Sequence, residues 1–457
     1  MENIEQLLPE DQSNDRCTGF KFNYIHSKKD FDELIKDNFL SIINENNKDK
    51  FSATCEYMFN VVGYGVFVAI HDKQMHTFIP FANIYSENPG LDSIKPEDVT
   101  RFENQKINSL GIKRKYFHRI TREKAHWSFS DCIMFYWTDW WRDIELYLNI
   151  YYDMLLTVVK ERNITSTCFF MNLFDQPVLH EKKCNIYIGA DEKCKGCAKH
   201  ETNPFIPVLS GATSPKHYDK CIVYADAWET ASQKKFLPSC RDWYYKKEIT
   251  TEWADKTSML TFRGRNSSCN PNDPKKNIRV KVIKSLNDKK KMLEEKGIEY
   301  DVGLSGYTTQ TLYVNNKFVV SDPNNLKHHV GQFIKPKTME DQSKSKYILD
   351  MDGYVTPWRL CFELGYGSVI ILVKSKYTSW FYKSLKNDEN IIIVDDSTEN
   401  IGDTIVSQII SLDKDHQKAM AIGQNSLKLF IQITRQDYIL NYMQSMLNSN
   451  DFAIVNN

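Results

Sequence analysis

The hydrophobic pattern of the first half of the chain predicts a hairpin, a long helix and a strand. Apolar and polar residues alternate over 56–84, with His71–Gln74 as the turn, and this period of two indicates paired strands. Residues 131–163 have an amphipathic helical pattern whose aromatic stripe is typical of a buried face. A further apolar strand is predicted over 166–179, and it ends in polar residues and a proline.

The second half of the chain alternates between strand and helix patterns. Residues 258–288 are interpreted as a strand, a glycine-containing loop and a basic helix. The apolar segment 367–373 is typical of a strand buried on both faces of a parallel sheet, and 375–396 predicts another helix and strand. This alternation predicts an α/β architecture with right-handed crossovers.

The domain organisation is inferred from length and from a shift in composition. A chain of 457 residues is too long for one ordinary core, and near residues 240–257 it changes from aromatic and loop-rich to alternating elements. We expect a polar leader, two α/β domains and a terminal helix that packs back on the first domain. Their predicted ranges are 1–50, 51–245, 246–430 and 431–457.

The charge balance argues against several classes of partner. Lys+Arg and Asp+Glu both number 59, so a net charge of zero indicates neither nucleic acid nor an anionic membrane. The acidic start lacks the layout of a signal peptide, and no apolar run approaches the roughly 20 residues that span a bilayer. The eleven scattered cysteines fit reduced thiols. A cytoplasmic protein without a membrane span is expected.

The segment Asp350–Gly353 follows an apolar strand and permits more than one interpretation. In a haloacid-dehalogenase-like phosphatase, Asp350 would be the nucleophile and Asp352 the acid/base, with Lys374 and a late acidic pair at 395–396 in support. Few residues follow Asp350 for a phosphatase core with its cap. A metal-binding Asp-x-Asp pair of a sugar transferase is another candidate.

A phosphate site built from two arginine-bearing loops is the competing interpretation. Thr356 fits a helix N-cap before Pro357, and Arg359 would add a forked cation to free helix N–H groups. A second loop combines cations, a glycine and hydroxyls that suit a nucleoside diphosphate: Arg263, Gly264, Arg265, Ser267 and Ser268. Each arginine alone is typical of a surface, but two such loops at strand ends favour a diphosphate.

Asp175 is the candidate general base. It follows an apolar strand in the other predicted domain and precedes Gln176 and Pro177. A carboxylate at a strand end facing a cleft can accept the proton of an acceptor hydroxyl. A loop cap is the alternative and commoner role of such an aspartate.

Four ordered blocks over about residues 165–410 resemble glycosyltransferase family 90, which includes fungal capsule-associated proteins and Rumi-type protein O-glucosyltransferases. The blocks are Asn172-x-x-Asp175-x-Pro177, residues 218–230, Phe262-Arg263-Gly264 with the downstream Arg279, and residues 346–394. In the second block, alanine stands where the family has a proline. Each block alone is a weak signal, but four in this order are specific.

The resemblance implies a GT-B-like fold, with two Rossmann-like domains facing a cleft and a UDP-sugar held by the C-terminal domain. It implies an inverting, metal-independent transfer of a hexose or pentose, such as glucose or xylose, to a protein or glycan hydroxyl. Asp175 would be the base. The departing UDP would be neutralised by Arg263, Arg279 and Arg359. Asp352–Gly353 would shape its loop without binding a metal.

Two departures from the family pattern bear on the hypothesis. Pro357 stands where some relatives carry a serine, so Thr356 is expected to supply that hydroxyl. The start of the chain and a sequon at Asn266, inside the predicted donor loop, are consistent with a cytosolic member from a large DNA virus, acting in the host cytoplasm.

A loop rich in cysteine and histidine follows the candidate base. Structural zinc is one interpretation and free thiols the other, because the spacing of the ligands is irregular. The candidate ligands are His180, Cys184, Cys194, Cys197 and His200. A UDP-sugar transferase is the leading hypothesis, and the phosphatase and a catalytically silent glycan-binding module remain as alternatives.

Overall fold

A computed structural model describes most of the chain. The described residues are Ile25, 27–82, 144–173, 176–181, 199–234, 251–267, 277–306, 311–314, 317–320, 323–449 and 452–454. Contacts divide the chain into two compact units, which we name the N-terminal unit (Asp15–Pro238 with Ile439–Asn457) and the C-terminal unit (Ser239–Tyr438).

The strands, in chain order, are β1 (Tyr64–His71), β2 (Gln74–Ala82), β3 (Thr167–Met171), β4 (Val208–Ser210), β5 (Lys220–Cys221), β6 (Thr257–Arg265), β7 (Glu299–Gly306), β8 (Thr311–Val314), β9 (Lys317–Val320), β10 (Ser345–Met351), β11 (Val369–Lys374), β12 (Ile392–Asp395) and β13 (Ala453–Ile454).

The α-helices are α1 (Lys28–Phe31), α2 (Asn38–Leu40), α3 (Glu45–Glu56), α4 (Ile144–Glu161), α5 (Ala225–Ser232), α6 (Ile278–Asn287), α7 (Lys290–Glu294), α8 (Pro323–Val330), α9 (Met339–Ser343), α10 (Leu360–Glu363), α11 (Ile401–Lys414), α12 (His416–Ile433) and α13 (Gln436–Leu447). Within the described ranges, no helix combines the length and the apolar character that crossing a membrane requires.

The N-terminal unit is built on a mixed sheet with the strand order β2-β1-β3-β4-β5. β1 pairs antiparallel with β2 and β3, whereas β3, β4 and β5 run parallel. β13 pairs antiparallel with the first residues of β3. The predicted hairpin is confirmed over 64–82, and its turn places Asp72 and Lys73 at positive φ angles of 46° and 60°, which matches the twist of tight hairpins. The strand pattern predicted before it is wrong, because Tyr57–Val62 form a π-helix that continues α3.

Aromatic rings fill the core of the N-terminal unit. The Phe170 ring of β3 lies 5.1 Å from Phe67 and 5.9 Å from Phe81. Phe31 and Phe51, from α1 and α3, are fully buried and stack on Phe170. The interpretation of residues 1–50 as a peripheral leader is therefore wrong for the helical segment from α1 onward, because a few well-spaced apolar side chains anchor an otherwise polar stretch.

The C-terminal unit is built on a parallel sheet with the order β12-β11-β10-β6-β7. Numbered along the chain within this sheet, the strands lie in the doubly wound order 2-1-3-4-5. The fully apolar β11 pairs with β10 and β12, as its sequence predicts. The predicted α/β class with two sheet-based units is confirmed, although only part of the N-terminal sheet is parallel.

Residues 375–396 form less helix than their sequence predicts. The segment contains a single 3-10 turn, Tyr382–Ser384, before β12. Asn390 accepts from Lys386 N at 2.8 Å and donates to the Ser384 carbonyl at 3.0 Å. Such side-chain hydrogen bonds to the local backbone compete with helix formation, so the helix predicted here is wrong.

Candidate active site

The carboxyl ends of β6 and β10 lie side by side where the strand order of the C-terminal unit reverses. β6 pairs with β10 on one side and with β7 on the other, so the connections that follow β6 and β10 lead to opposite edges of the sheet. Open α/β sheets bind ligands at such a switch point. Arg265 ends β6 and Asp352 follows β10, so both loops that were predicted to hold a diphosphate meet at this edge.

Arg279 joins the two loops from the first turn of α6. Its guanidinium donates to three carbonyls, those of Asp352 at 2.9 Å, Arg265 at 2.8 Å and Met351 at 3.1 Å. The Asn277 side chain caps the helix by accepting the N–H of Arg279 at 3.1 Å. Burial lowers the pKa of Arg279 to about 10, which leaves the side chain charged at neutral pH. The buried guanidinium therefore fixes the shape of both loops.

The two glycines of these loops make room for Arg279. A Cβ atom on Gly264 would lie 3.2 Å from Arg279 Nη1 and 2.9 Å from Phe262 Cζ, and one on Gly353 would lie 3.2 Å from Arg279 Nη2. Gly264 was predicted to let the backbone approach a ligand, and Gly353 was predicted to shape its loop. The atoms that approach them here belong to the protein itself.

Arg359 is the second cation at this edge, and its side chain is 15% exposed. Its Nε and Nη2 donate to Asp350 Oδ1 at 3.0 and 2.8 Å, and Nη1 donates to the Arg263 carbonyl at 2.9 Å. Nε also lies 3.1 Å from Glu363 Oε1. The guanidinium carbon is 5.2 Å from the centroid of the Phe262 ring, a distance typical of a cation–π contact. Arg359 therefore crosslinks β6, β10 and α10.

The two carboxylates that face Arg359 are removed from solvent. The side chain of Asp350 is 0% exposed and that of Glu363 is 2% exposed. Burial raises the pKa of Asp350 against the opposing effect of Arg359, and burial together with Asp350 raises the pKa of Glu363 to about 8. A buried carboxylate held by an arginine cannot attack a phosphate ester, so the phosphatase hypothesis lacks its nucleophile.

Arg263 is engaged on the opposite side of β6. Its guanidinium pairs with the Asp301 carboxylate on β7 and donates to the carbonyls of Asp301 at 2.6 Å and Lys335 at 2.9 Å. Lys337 contacts the same carboxylate. This side chain was predicted to bind the donor, and the structure places it in a local network within the fold.

Arg265 and Ser267 are the accessible members of the predicted set. Arg265 is exposed, and among the described residues its side chain has no hydrogen-bond or ion-pair partner. Ser267 is half-buried, and its Cβ lies 3.4 Å from the position that a Cβ on Gly353 would occupy. Ser268 lies outside the described residues. A cation and a hydroxyl are thus available at the switch point.

The segment around Thr356 differs from its prediction. Helix α10 begins at Leu360, spans four residues and has no side-chain cap. The N–H of Leu360 bonds to the Pro357 carbonyl at 3.2 Å, so a tight turn takes the place of the first helical turn. Thr356 is buried. The predicted N-cap at Thr356 and the anion site on free helix N–H groups are therefore wrong.

Asp352 is a further buried acid of this edge. It is 5% exposed and accepts a hydrogen bond from the Ser375 hydroxyl. Burial raises the pKa of Asp352 to about 7. Ser375 in turn accepts from Tyr377 N at 3.0 Å, so Asp352 holds the segment after β11 in place. This contact suits the predicted role of Asp352 in shaping its loop.

The candidate base and most of the candidate zinc ligands fall outside the described residues: Asp175, Cys184, Cys194 and Cys197. His180 is buried, with its ring centroid 5.0 Å from that of His217, and the His200 ring packs on Phe205. Across the described part of the chain, no group of three or more metal-ligating side chains is present. The zinc site stays a prediction.

The sequence analysis missed Asp219, a buried carboxylate beside the segment that carries Asp175. Asp219 accepts from Val178 N at 2.9 Å, Leu179 N at 2.7 Å and the Ser210 hydroxyl at 2.5 Å. Burial raises the pKa of Asp219 to about 6. Its position in the second family block, directly before β5, is the signal that could have drawn attention to it.

The family is decided by comparison with known sequences. The family model described as "Glycosyl transferase family 90" matches residues 194–452, which is more than half of the chain. The chain belongs to glycosyl transferase family 90. The predicted membership is thereby confirmed.

Two viral proteins are similar to this family 90 chain. "Uncharacterized protein 035R" of Invertebrate iridescent virus 3 is 24% identical over 86% of the chain and 36% of its own length. "Uncharacterized protein 179R" of Invertebrate iridescent virus 6 is 25% identical with the same shares of coverage. The chain thus spans about a third of the length of these curated relatives.

Solved structures show weaker likeness. Anabaena Alr3699/HepE in complex with UDP-glucose has a TM-score of 0.28 and 11% identity, covering 44% of this chain and 54% of that chain. The pneumococcal O-GlcNAc transferase GtfA in complex with UDP and GlcNAc has a TM-score of 0.29 and 10% identity, covering 53% and 51%. Likenesses at these TM-scores are too weak to identify a fold or a ligand.

Proposed function

We propose that the chain is a UDP-sugar-dependent glycosyltransferase that moves a hexose or pentose to a hydroxyl acceptor on a protein or glycan. Family membership supports the reaction class. The observation that supports the donor site is the switch point, where the exposed Arg265 and the half-buried Ser267 lie between loops that Arg279 and Arg359 hold in place. Preorganised cations at a leaving group are the main requirement for transfer from a nucleoside diphosphate.

The predicted donor-binding residues divide into two roles in this proposal. Arg265 and Ser267 contact the diphosphate, because their polar groups are accessible. Arg263, Arg279 and Arg359 hold the strand ends, since their donors serve carbonyls and carboxylates of the fold. Arg279 donates to carbonyls alone, so its charge lowers the energy of the developing UDP anion.

Asp175 is proposed as the base that takes the proton of the acceptor hydroxyl. An inverting displacement needs one base on the acceptor and positive charge on the leaving group, so this aspartate and the arginines suffice without a bound metal. Metal independence is part of the proposal and is tested by comparing transfer in excess chelator with transfer in manganese. If transfer is lost in excess chelator and manganese restores it, the reaction requires a metal and the proposed metal independence is wrong.

A thermal-shift screen identifies the donor. UDP, UDP-glucose, UDP-xylose and other UDP-sugars are compared with ADP, with and without manganese, because a ligand that binds only the native state raises its stability. Stabilisation by UDP compounds in the absence of metal supports the proposal. No shift with any UDP compound contradicts it.

The best donor then serves in a transfer assay with Asp175→Asn. Loss of transfer with retained UDP binding supports a catalytic role for Asp175. If neither the variant nor the natural chain transfers sugar although both bind UDP, the silent binding module becomes the better description.

A further inference from the structure

The pair Asp350 and Glu363 presents two carboxylates to one arginine nitrogen. Arg359 Nε lies 3.0 Å from Asp350 Oδ1 and 3.1 Å from Glu363 Oε1, so the two acidic oxygens cannot be farther apart than the sum of these distances. Both side chains are removed from water. Two buried like charges at such a separation disfavour each other strongly.

Each carboxylate also has an oxygen that the fold leaves unsatisfied. Asp350 Oδ2 and Glu363 Oε2 are buried and have no hydrogen-bond partner among the described residues. Leaving a buried charged oxygen without a donor is costly, and buried polar groups are almost always paired. A proton held by the pair supplies a donor where the polypeptide supplies none.

The charged and titratable neighbours of the pair are few. Arg359 faces both carboxylates, Arg279 acts on them from α6, Tyr366 lies close to Glu363, and the buried carboxylate of Asp352 acts on Asp350 from the loop after β10. The donors of Arg279 are engaged by the carbonyls of Asp352, Arg265 and Met351, so it contributes charge but no hydrogen bond to the pair. Arg359 is therefore the one cation among these neighbours that pairs with the carboxylates directly.

We propose that Asp350 and Glu363 share one proton at neutral pH and, with Arg359, form a neutral buried triad that sets the charge beneath the diphosphate site. Loss of the shared proton at alkaline pH leaves an extra negative charge behind Arg265, two residues along β6 from the Arg263 carbonyl that Arg359 holds. This extra charge weakens binding of a nucleoside diphosphate. Burial and the neighbouring Asp350 raise the pKa of Glu363 to about 8, in agreement. The inference rests on the proposed donor site.

The test is the pH dependence of UDP binding by the full chain between pH 7 and 9. For the natural chain we expect the affinity for UDP to fall by about tenfold, the size of a unit charge acting over roughly 10 Å at an effective dielectric constant near 20. Glu363→Gln keeps the pair neutral at every pH, so its affinity should fall only by the part that ionisation of Asp352 contributes in every protein. Glu340→Gln, an exposed control in the same unit, should fall like the natural chain.

A second variant and a direct measurement keep the inference testable if Glu363→Gln does not fold. Asp350→Asn also removes one of the two charges and should show the same reduced dependence on pH as Glu363→Gln. Infrared difference spectroscopy between neutral and alkaline pH should show the loss of protonated carboxyl bands in the natural chain. In either variant the band of the pair should be missing, while the band of Asp352 remains.

Failure of this inference is separable from failure of the proposed function. Equal pH profiles and equal carboxyl bands for the natural chain and Glu363→Gln overturn the shared proton while UDP binding at pH 7 stands. Absence of UDP binding at pH 7 overturns the donor site, and the infrared measurement still decides whether the pair holds a proton.

Discussion

At the scale of single residues, the arginines of the switch point differ in what they can reach. Arg279 is buried, Arg359 is partly buried, and both donate to carbonyls or carboxylates of the fold, whereas Arg265 is exposed. Sequence spacing cannot distinguish these roles, because all of them are arginines at or after strand ends. The difference appears only when the partners on β7, β10 and α10 are known.

Removing Arg359 should destabilise the chain strongly. Arg359→Ala leaves the fully buried Asp350 without its cation, and breaking a buried pair on one side costs about 3–5 kcal/mol. Urea unfolding measures the loss. Lys344→Ala, which removes an exposed pair with Asp341, should cost about 0–1 kcal/mol. A loss for Arg359→Ala as small as that of the control would contradict the crosslink.

Glu363 should make stability depend on pH. Because burial and Asp350 raise the pKa of Glu363 to about 8, the folded chain keeps a proton that the unfolded chain releases above about pH 4.5. The free energy of unfolding therefore falls as pH rises between these values, by up to about 1.4 kcal/mol per pH unit, and this part is absent in Glu363→Gln. Denaturant midpoints from pH 5 to 8 check it, and parallel curves for the two proteins would refute it.

At the scale of elements, the start of helix α6 holds the loops of the candidate site in place. Asn277 caps the helix and also donates to the Asn266 carbonyl at 2.8 Å, so it ties the loop after β6 to the helix that presents Arg279. The geometry of the loop after β6 therefore depends on an ordinary asparagine N-cap. The site forms where β6, this loop and α6 are joined.

Asn277→Ala should lower both stability and UDP affinity. Loss of an N-cap costs about 1 kcal/mol of stability. The affinity for UDP falls as well, because the first turn of α6, which carries Arg279, is no longer held in place. Thr338→Ala removes the cap of α9 outside the switch point and should reduce stability alone. Urea unfolding and UDP titration separate the two effects. Unchanged UDP affinity in Asn277→Ala would show that the cap does not position the site.

Patterns of hydrophobic residues predicted the sheet elements well. The period of two gave the β1–β2 hairpin, and the apolar run gave β11 in a parallel sheet. The helix cap at Thr356 and the helix within 375–396 were predicted wrongly, because a turn at Pro357 and side-chain bonds from Asn390 replace helical hydrogen bonds. Such local competition is decided by tertiary contacts that the sequence alone does not display.

At the scale of the whole molecule, the proposed donor site belongs to the C-terminal unit and the proposed base to the N-terminal unit. Asp219 holds the segment that follows Asp175 by accepting from Val178 N and Leu179 N. The chain spans about a third of its curated viral relatives.

The segment around Asp175 should depend on Asp219. Asp219→Asn places a donor where one backbone N–H needs an acceptor, so the turnover number for transfer should fall by about 10- to 100-fold while UDP affinity is kept. Asp153→Asn, a carboxylate of the same unit that accepts from Trp228 Nε1 at 2.9 Å, serves as the control and should leave turnover unchanged. Equal turnover in the two variants would show that Asp219 has no influence on the reaction.

The central claim is that a nucleoside diphosphate binds at the switch point through Arg265. Isothermal titration of UDP into the natural chain, Arg265→Ala and the exposed control Arg435→Ala tests it most directly, in buffer with chelator. We predict that UDP binds the natural chain at one site. Arg265→Ala should bind UDP at least about tenfold more weakly, because it loses one charge-assisted contact, and Arg435→Ala should bind UDP with unchanged affinity. No binding by the natural chain, or equal binding by all three proteins, would contradict the account.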